Sequence, residues 1–149
     1  MERREFLQRF ERTALGACAL AASTSLPFVM GACASLPTVR GELRDGAVLL
    51  PLASLAADGT ALVAVPGMDL PLFVRRIGVG KAIALSTRCM HRGCEVEPEA
   101  ERLVCPCHGS EYTLDGAVLK GPTTRPLARF AVTETGEALV ISLTPLVGA

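Results

Sequence analysis

Tryptophan is absent from the 149 residues, and the aromatic side chains amount to one tyrosine and five phenylalanines. A core built from this chain is therefore packed by aliphatics rather than by large rings. Histidine is almost as scarce: His91 and His108 are the two in the chain, so a site that needs imidazole must draw on them. A charge excess is missing as well. Fifteen Lys and Arg balance fifteen Asp and Glu, which removes the polyelectrolyte attraction a nucleic-acid partner would need. After residue 40 no apolar pattern of helical period runs to useful length, which excludes a helical bundle. No internal repeat or low-complexity run follows the first 36 residues, and no nucleophile–base pair or open metal site stands out, so catalysis would belong to a complex rather than to this chain alone.

What the chain does have is six cysteines. Four of them, with both histidines, fall in two short stretches: Cys89-Met90-His91-Arg92-Gly93-Cys94 and Cys105-Pro106-Cys107-His108-Gly109-Ser110. Each stretch holds one Cys and one His at close range. Six soft or borderline donors overfill one tetrahedral site, so four ligands plus one disulfide is the economical division. A mixed site takes both histidines. Zinc sites more usually pair like with like, C-x₂₋₄-C and H-x₃₋₅-H. A plant-type cluster wants C-x₄-C-x₂-C; Cys89 and Cys94 fit the first gap, but Cys105 lies too far on. Two disulfides without metal leave both histidines without a role. A binuclear cluster, with thiolates on one iron and imidazoles on the other, accounts for the symmetry.

The two stretches resemble the paired boxes C-x-H-x-G-C and C-P-C-H-G-S of the Rieske iron–sulfur family, the second at all six positions. The resemblance runs from about Leu72 to Leu143. It implies one 2Fe–2S cluster per chain with Cys89, His91, Cys105 and His108 as ligands, and a Cys94–Cys107 disulfide. By the same resemblance Ser110 and Tyr112 donate hydrogen bonds to sulfur, which stabilises the reduced state and raises the potential. Family potentials span about −150 to +300 mV, and the two hydroxyls imply the upper half of that range. Gly121-Pro122-Thr123-Thr124-Arg125-Pro126-Leu127 resembles the proline loop that covers such a cluster and excludes water from it. Two features depart from the respiratory type. Arg92 stands where an apolar docking residue is usual, and the segment from Arg92 to Val104 is short. Within it Glu95, Glu97, Glu99 and Glu101 alternate; such a run is a solvated face, or an acidic patch for a basic partner.

Residues 1–36 read as an export leader. Arg3-Arg4-Glu5-Phe6-Leu7 resembles the twin-arginine signal, and Ala14 to Leu36 carries no charge. That route exports folded proteins, which suits a cluster assembled beforehand, and a disulfide persists only in an oxidising compartment. Three fates are open to the leader: cleavage near Ala34, retention as an anchor across about 30 Å of hydrocarbon, or lipidation at Cys33 after Val29-Met30-Gly31-Ala32. Cys18 reads as leader filler. Residues 37–45 read as a linker, and 46–149 as the domain, with a cluster-binding subdomain over about 87–127.

The fold expectation is all-β, with stacked antiparallel sheets and a small subdomain of two cluster loops. Strands are expected at Ala47–Leu52, Ala61–Val65, Leu72–Ile77, Lys81–Ser86, Phe130–Thr133 and Ala138–Leu143, with hairpins at Gly78-Val79-Gly80, Asp115-Gly116 and Glu134 to Glu137. Functionally, the resemblance implies one-electron transfer at the periplasmic face of a membrane. A quinol-oxidising cytochrome b-type subunit would be the donor and a c-type cytochrome the acceptor, and an outer histidine, His91 or His108, would bind quinol and take its proton. Alternatives are the small subunit of a periplasmic molybdenum oxidoreductase of the arsenite oxidase type, a stand-alone Rieske ferredoxin, and a structural zinc domain.

Overall fold

Two apolar runs, Leu72-Phe73-Val74 and Ile83-Ala84-Leu85, decide how the domain is layered. A strand with one wet face alternates apolar and polar side chains, whereas a continuous apolar run belongs to a strand covered on both faces. The computed structural model describes residues 36–146 and places both runs in that situation. They lie on β5 (Leu72–Gly78) and β6 (Lys81–Ser86), an antiparallel hairpin pairing Phe73 with Leu85 and Val74 with Ala84. Leu72, Val74 and Ala84 join one core, while Phe73, Ile83 and Leu85 join a second. The hairpin is the wall between them.

The first core is enclosed by an eight-stranded sheet in the order β1-β4-β5-β6-β11-β12-β3-β2. Its other members are β1 (Thr38–Arg40), β2 (Glu42–Arg44), β3 (Ala47–Pro51), β4 (Thr60–Ala64), β11 (Arg129–Thr135) and β12 (Ala138–Pro145). Val48 and Leu50, Ala61 and Val63, and Leu139 and Ile141 are buried at alternate positions, as the period of a strand requires. The edge strands β1 and β2 are separated in sequence by Gly41 alone. Adjacent Cα atoms lie about 3.8 Å apart, so the two edges of the sheet meet there and the sheet curls round its core. Gly41 donates its N–H to Ala64 O at 3.0 Å, and a Cβ on it would overlap Val48 Cγ1 and meet Val63 Cγ1 at 3.0 Å.

The second core lies under a four-stranded antiparallel sheet in the order β10-β9-β8-β7. Its strands are β7 (Glu97–Glu99), β8 (Arg102–Val104), β9 (Glu111–Thr113) and β10 (Val118–Lys120). Asp115-Gly116 turns β9 into β10, with Gly116 N–H on Thr113 O at 3.0 Å. The β5–β6 turn is held by Glu134, which takes a two-pronged ion pair from Arg76 at 2.9 and 2.8 Å and the Gly80 N–H at 3.2 Å.

The all-β class and the expected hairpins agree with the structure. Three details differ. Residues 37–45 are not a loose linker: they supply β1 and β2. The sheet is not purely antiparallel, because β1 runs parallel to β4, with Val39 opposite Val63. Leu52 leaves the third strand to start a short 3-10 turn, Leu52–Ser54. Among the described residues no helix is long and apolar enough to cross a membrane. The leader read over residues 1–36, with Cys18 and Cys33, lies outside the described residues except for Leu36, which packs against the second core.

Candidate metal centre

The site begins with two six-residue loops of matching backbone geometry. Cys89 N–H bonds Cys94 O at 2.8 Å, and Gly93 N–H bonds Cys89 O at 2.8 Å. Likewise Cys105 N–H bonds Ser110 O at 2.8 Å, and Gly109 N–H bonds Cys105 O at 3.0 Å. Closing so tight a loop calls for a left-handed residue, and the glycines supply it, at φ +79° for Gly93 and +73° for Gly109. The first loop leaves β6 through Thr87, whose hydroxyl donates to Pro71 O at 2.7 Å and whose carbonyl accepts Val96 N–H at 2.8 Å. The second loop is carried between β8 and β9.

These loops bring both predicted boxes together. Cys94 and Cys107 form a disulfide that ties one loop to the other. Cys89 and Cys105 are free and almost fully buried, at 2 % and 1 % exposure. The Cys105 sulfur lies within 4.8 Å of both disulfide sulfurs, which are already spent on each other as ligands. The His91 and His108 rings meet edge to face, their centroids 4.8 Å apart. His108 is exposed and His91 half-buried. His91 Nδ1 is buried and has no hydrogen-bond partner. A buried polar atom left unpaired is costly, so its neighbourhood points to a ligand. Two buried thiols, two convergent imidazoles and one orphaned ring nitrogen fit a Cys₂His₂ metal group.

Hydroxyl groups surround the thiols. Tyr112, fully buried, accepts Met90 N–H at 3.1 Å and lies 3.3 Å from Cys89 Sγ. With its lone pair taken by that amide, its proton points naturally at the sulfur. Burial works against the Cys89 thiolate, but hydrogen bonds from Tyr112, the His91 backbone, Cys105 and Ser110 outweigh it, and the thiol is more acidic than usual. Cys105 goes the other way: burial and then its hydrogen bond with Cys89 make it less acidic. Burial, followed by the bond to Cys89, pushes the Tyr112 phenol up, so it stays a donor at neutral pH.

The expected proline loop does reach the boxes. Its Gly121–Pro122 bond is cis. Thr123 N–H donates to the buried Ser110 Oγ at 3.2 Å, which leaves the serine proton free to donate elsewhere. Arg125 donates from Nη2 to Met90 O at 3.4 Å. Ser110, Tyr112, Gly121 and Pro122 are marked by the sequence pattern, whereas the contacts of Thr123, Arg125 and the Met90 amide are not. Thr123 and Arg125 sit inside the loop it named, yet no spacing rule marks which of that loop's residues turn inward. Arg92 and the glutamates at 95, 97, 99 and 101 are all exposed.

Comparison with known proteins bears on the whole arrangement. The Rieske 2Fe–2S domain family matches residues 47–131. The cytochrome b6-f complex iron–sulfur subunit 2 of Trichormus variabilis is 33 % identical over 136 residues, covering 85 % of this chain and 76 % of that protein. The carotenoid phi-ring synthase of Chlorobaculum tepidum is 42 % identical over 74 residues, but the match covers 48 % of this chain and only 11 % of that enzyme. Another b6-f iron–sulfur subunit of the same organism is covered over 36 % of its length, so the chain spans well under two thirds of these two relatives. The crystal structure of the plasma-membrane Rieske protein of Synechocystis PCC 6803 superposes with a TM-score of 0.53 at 33 % identity, covering 62 % of this chain and 94 % of that one. With paired loops, a bridging disulfide and a domain match over the same residues, the chain belongs to the Rieske 2Fe–2S domain family.

Proposed function

We propose that this chain is the iron–sulfur subunit of a quinol-oxidising complex of the cytochrome b6-f type, with Cys89, His91, Cys105 and His108 holding a 2Fe–2S cluster. The observation that carries this reading is a pair of disulfide-tied loops that bears two buried free thiols and two imidazoles in edge-to-face contact, one with an orphaned Nδ1. When bound, the cluster supplies reversible one-electron chemistry. The residues around it do the rest. Tyr112 and Ser110 present hydroxyl protons to the sulfur side, favouring the more negative, reduced state and so a high potential. The disulfide holds the two loops in register, and the 121–127 loop keeps water from the buried thiols. His108, exposed where His91 is half-buried, is the edge open to a donor.

Relatives named as b6-f iron–sulfur subunits support the complex. The leader-like first 36 residues support export by the twin-arginine route and attachment at the outer face of the membrane, with a c-type cytochrome as acceptor. An EPR-monitored redox titration of the full chain, repeated across pH, tests the reading. The expected result is a Rieske-type signal at a high potential that falls as pH rises. A zinc-loaded, EPR-silent protein would overturn the cluster, and a low potential would favour a ferredoxin role over quinol oxidation.

A further inference from the structure

We propose that the redox partner docks on the cluster tip through an acidic surface, met by Arg92 and Arg125 around the two histidines. This rests on the cluster reading above and adds the chemistry of the partner.

Three loops make up this end of the domain: 89–94 and 105–110, which carry the histidines, and 121–127, which bonds them through Thr123 on Ser110 and Arg125 on Met90. Together they contain two arginines, Arg92 and Arg125, and no Asp or Glu. Both arginines are exposed. Arg125 bonds Met90 O at 3.4 Å, which sets its charge against the first loop, next to His91. Arg88 adds a third guanidinium there, 3.5 Å from where a Gly93 Cβ would stand, shared with Asp69 at 3.4 Å. The acids nearest in sequence do not cancel this charge evenly. Glu111 is already taken by Lys120 at 3.1 Å and Arg102 at 3.5 Å. Glu95 sits at the neck of the first loop, opposite Arg88 in a β-bridge. Glu97, Glu99 and Glu101 belong to β7, the edge of the four-stranded sheet, and to the turn after it.

The apolar surface of the tip is limited to small rings, the exposed Pro106, Pro122 and Pro126. Among the described residues, no large exposed hydrophobic side chain lies in the three loops; Val118 and Leu119 come closest in sequence, on β10. A partner that contacts the imidazole edges must cover Arg92 and Arg125 too. Burying two guanidinium groups in an apolar pocket leaves them unpaired, which is unfavourable. Carboxylates on the partner can instead meet each planar fork with paired hydrogen bonds. The formal net charge of the chain is zero, so the attraction is local and salt-sensitive rather than a long-range field.

The test uses the 149-residue chain, cluster-loaded and reduced. Its oxidation is followed by stopped flow with two probes, an acidic blue-copper protein and a basic c-type cytochrome, across ionic strength and at matched driving force. The acidic probe should react faster at low salt and slow as salt rises. Arg92→Gln with Arg125→Gln should lower that rate by about tenfold at low salt and weaken binding measured by titration calorimetry. Arg92→Lys with Arg125→Lys should restore most of the salt dependence. Arg44→Gln, exposed on β2, removes one charge from the large sheet and should leave both probes unaffected. Preference for the basic cytochrome, or an unchanged rate in the double Gln variant, overturns the proposal. Loss of the EPR signal in the wild type defeats the cluster reading instead, so the two failures are distinguishable.

Discussion

Loop 89–94 closes through Cys89 N–H to Cys94 O and loop 105–110 through Cys105 N–H to Ser110 O, both at 2.8 Å, yet the two cysteines at their heads live in different surroundings. Cys89 receives the Tyr112 hydroxyl at 3.3 Å and is the more acidic thiol. Cys105 faces the disulfide and is the less acidic. The histidines differ in the same sense: His91 hides an unpaired Nδ1, while His108 is exposed. One backbone geometry therefore serves two roles. The repeated loop places a cysteine and a histidine, and the strands and proline loop packed around each copy set the surroundings of that pair. The 89–94 loop carries the more acidic thiol and the half-buried histidine, the 105–110 loop the less acidic thiol and the exposed histidine.

The disulfide is the strongest test, because it is what makes the two loops one unit. Replacing both Cys94 and Cys107 by alanine removes a cross-link spanning 13 residues. Thermal or chemical denaturation should show a loss of about 2–4 kcal/mol. Unchanged stability would mean that the loops are held by their own hydrogen bonds. The likeness of the loops is tested next, by Gly93→Ala and Gly109→Ala. Each puts a Cβ into left-handed backbone and should cost about 1–2 kcal/mol. Nearly equal losses support the common geometry, and a much larger one at a single loop breaks it.

The difference between the loops is tested by Tyr112→Phe, which removes a hydroxyl from the Cys89 side alone. A hydrogen bond of about 1 kcal/mol, favouring the reduced state, corresponds to about 40–50 mV for one electron, so the potential should fall by that much. No change in the titration midpoint would remove Tyr112 from the tuning. The smallest effect is expected outside both loops. Arg76 holds the Glu134 carboxyl below its ordinary value of 4.5, mainly through their hydrogen bonds. A lowered folded-state value means that the bridge stabilises above the ordinary carboxylate range and is lost as pH falls through the lowered one. Melting temperatures measured from pH 7 down to pH 3 should therefore drop less steeply in Glu134→Gln than in the wild type, with the redox potential untouched.

Much of the centre was legible in the chain because its signals are local. Cys and His at fixed offsets, and a glycine in the fifth position of each box, need no distant residue to be meaningful. The expected Cys94–Cys107 pair is the disulfide observed. The strands were legible by period and by turn residues such as Asp115-Gly116. The linker expected at 37–45 failed for a physical reason. Thr38–Arg40 and Glu42–Arg44 are short and mostly exposed, so no apolar alternation announces them; they become strands because β4 and β3 offer open edges. The parallel pairing of β1 with β4 leaves no local signal for the same reason.

By itself, then, the sequence determined the all-β class, the two boxes and the donors they bring, because periodicity and ligand spacing are properties of neighbouring residues. Only the tertiary structure decided that Gly41 joins the two edges of the large sheet and that Tyr112 serves Cys89 rather than Cys105. It also decided that Thr123 caps Ser110 and that Arg125 lies against the carbonyl of Met90. Each of these depends on contacts between segments far apart in the chain. Such contacts are set by how two sheets pack across the shared β5–β6 wall, and no local pattern records them.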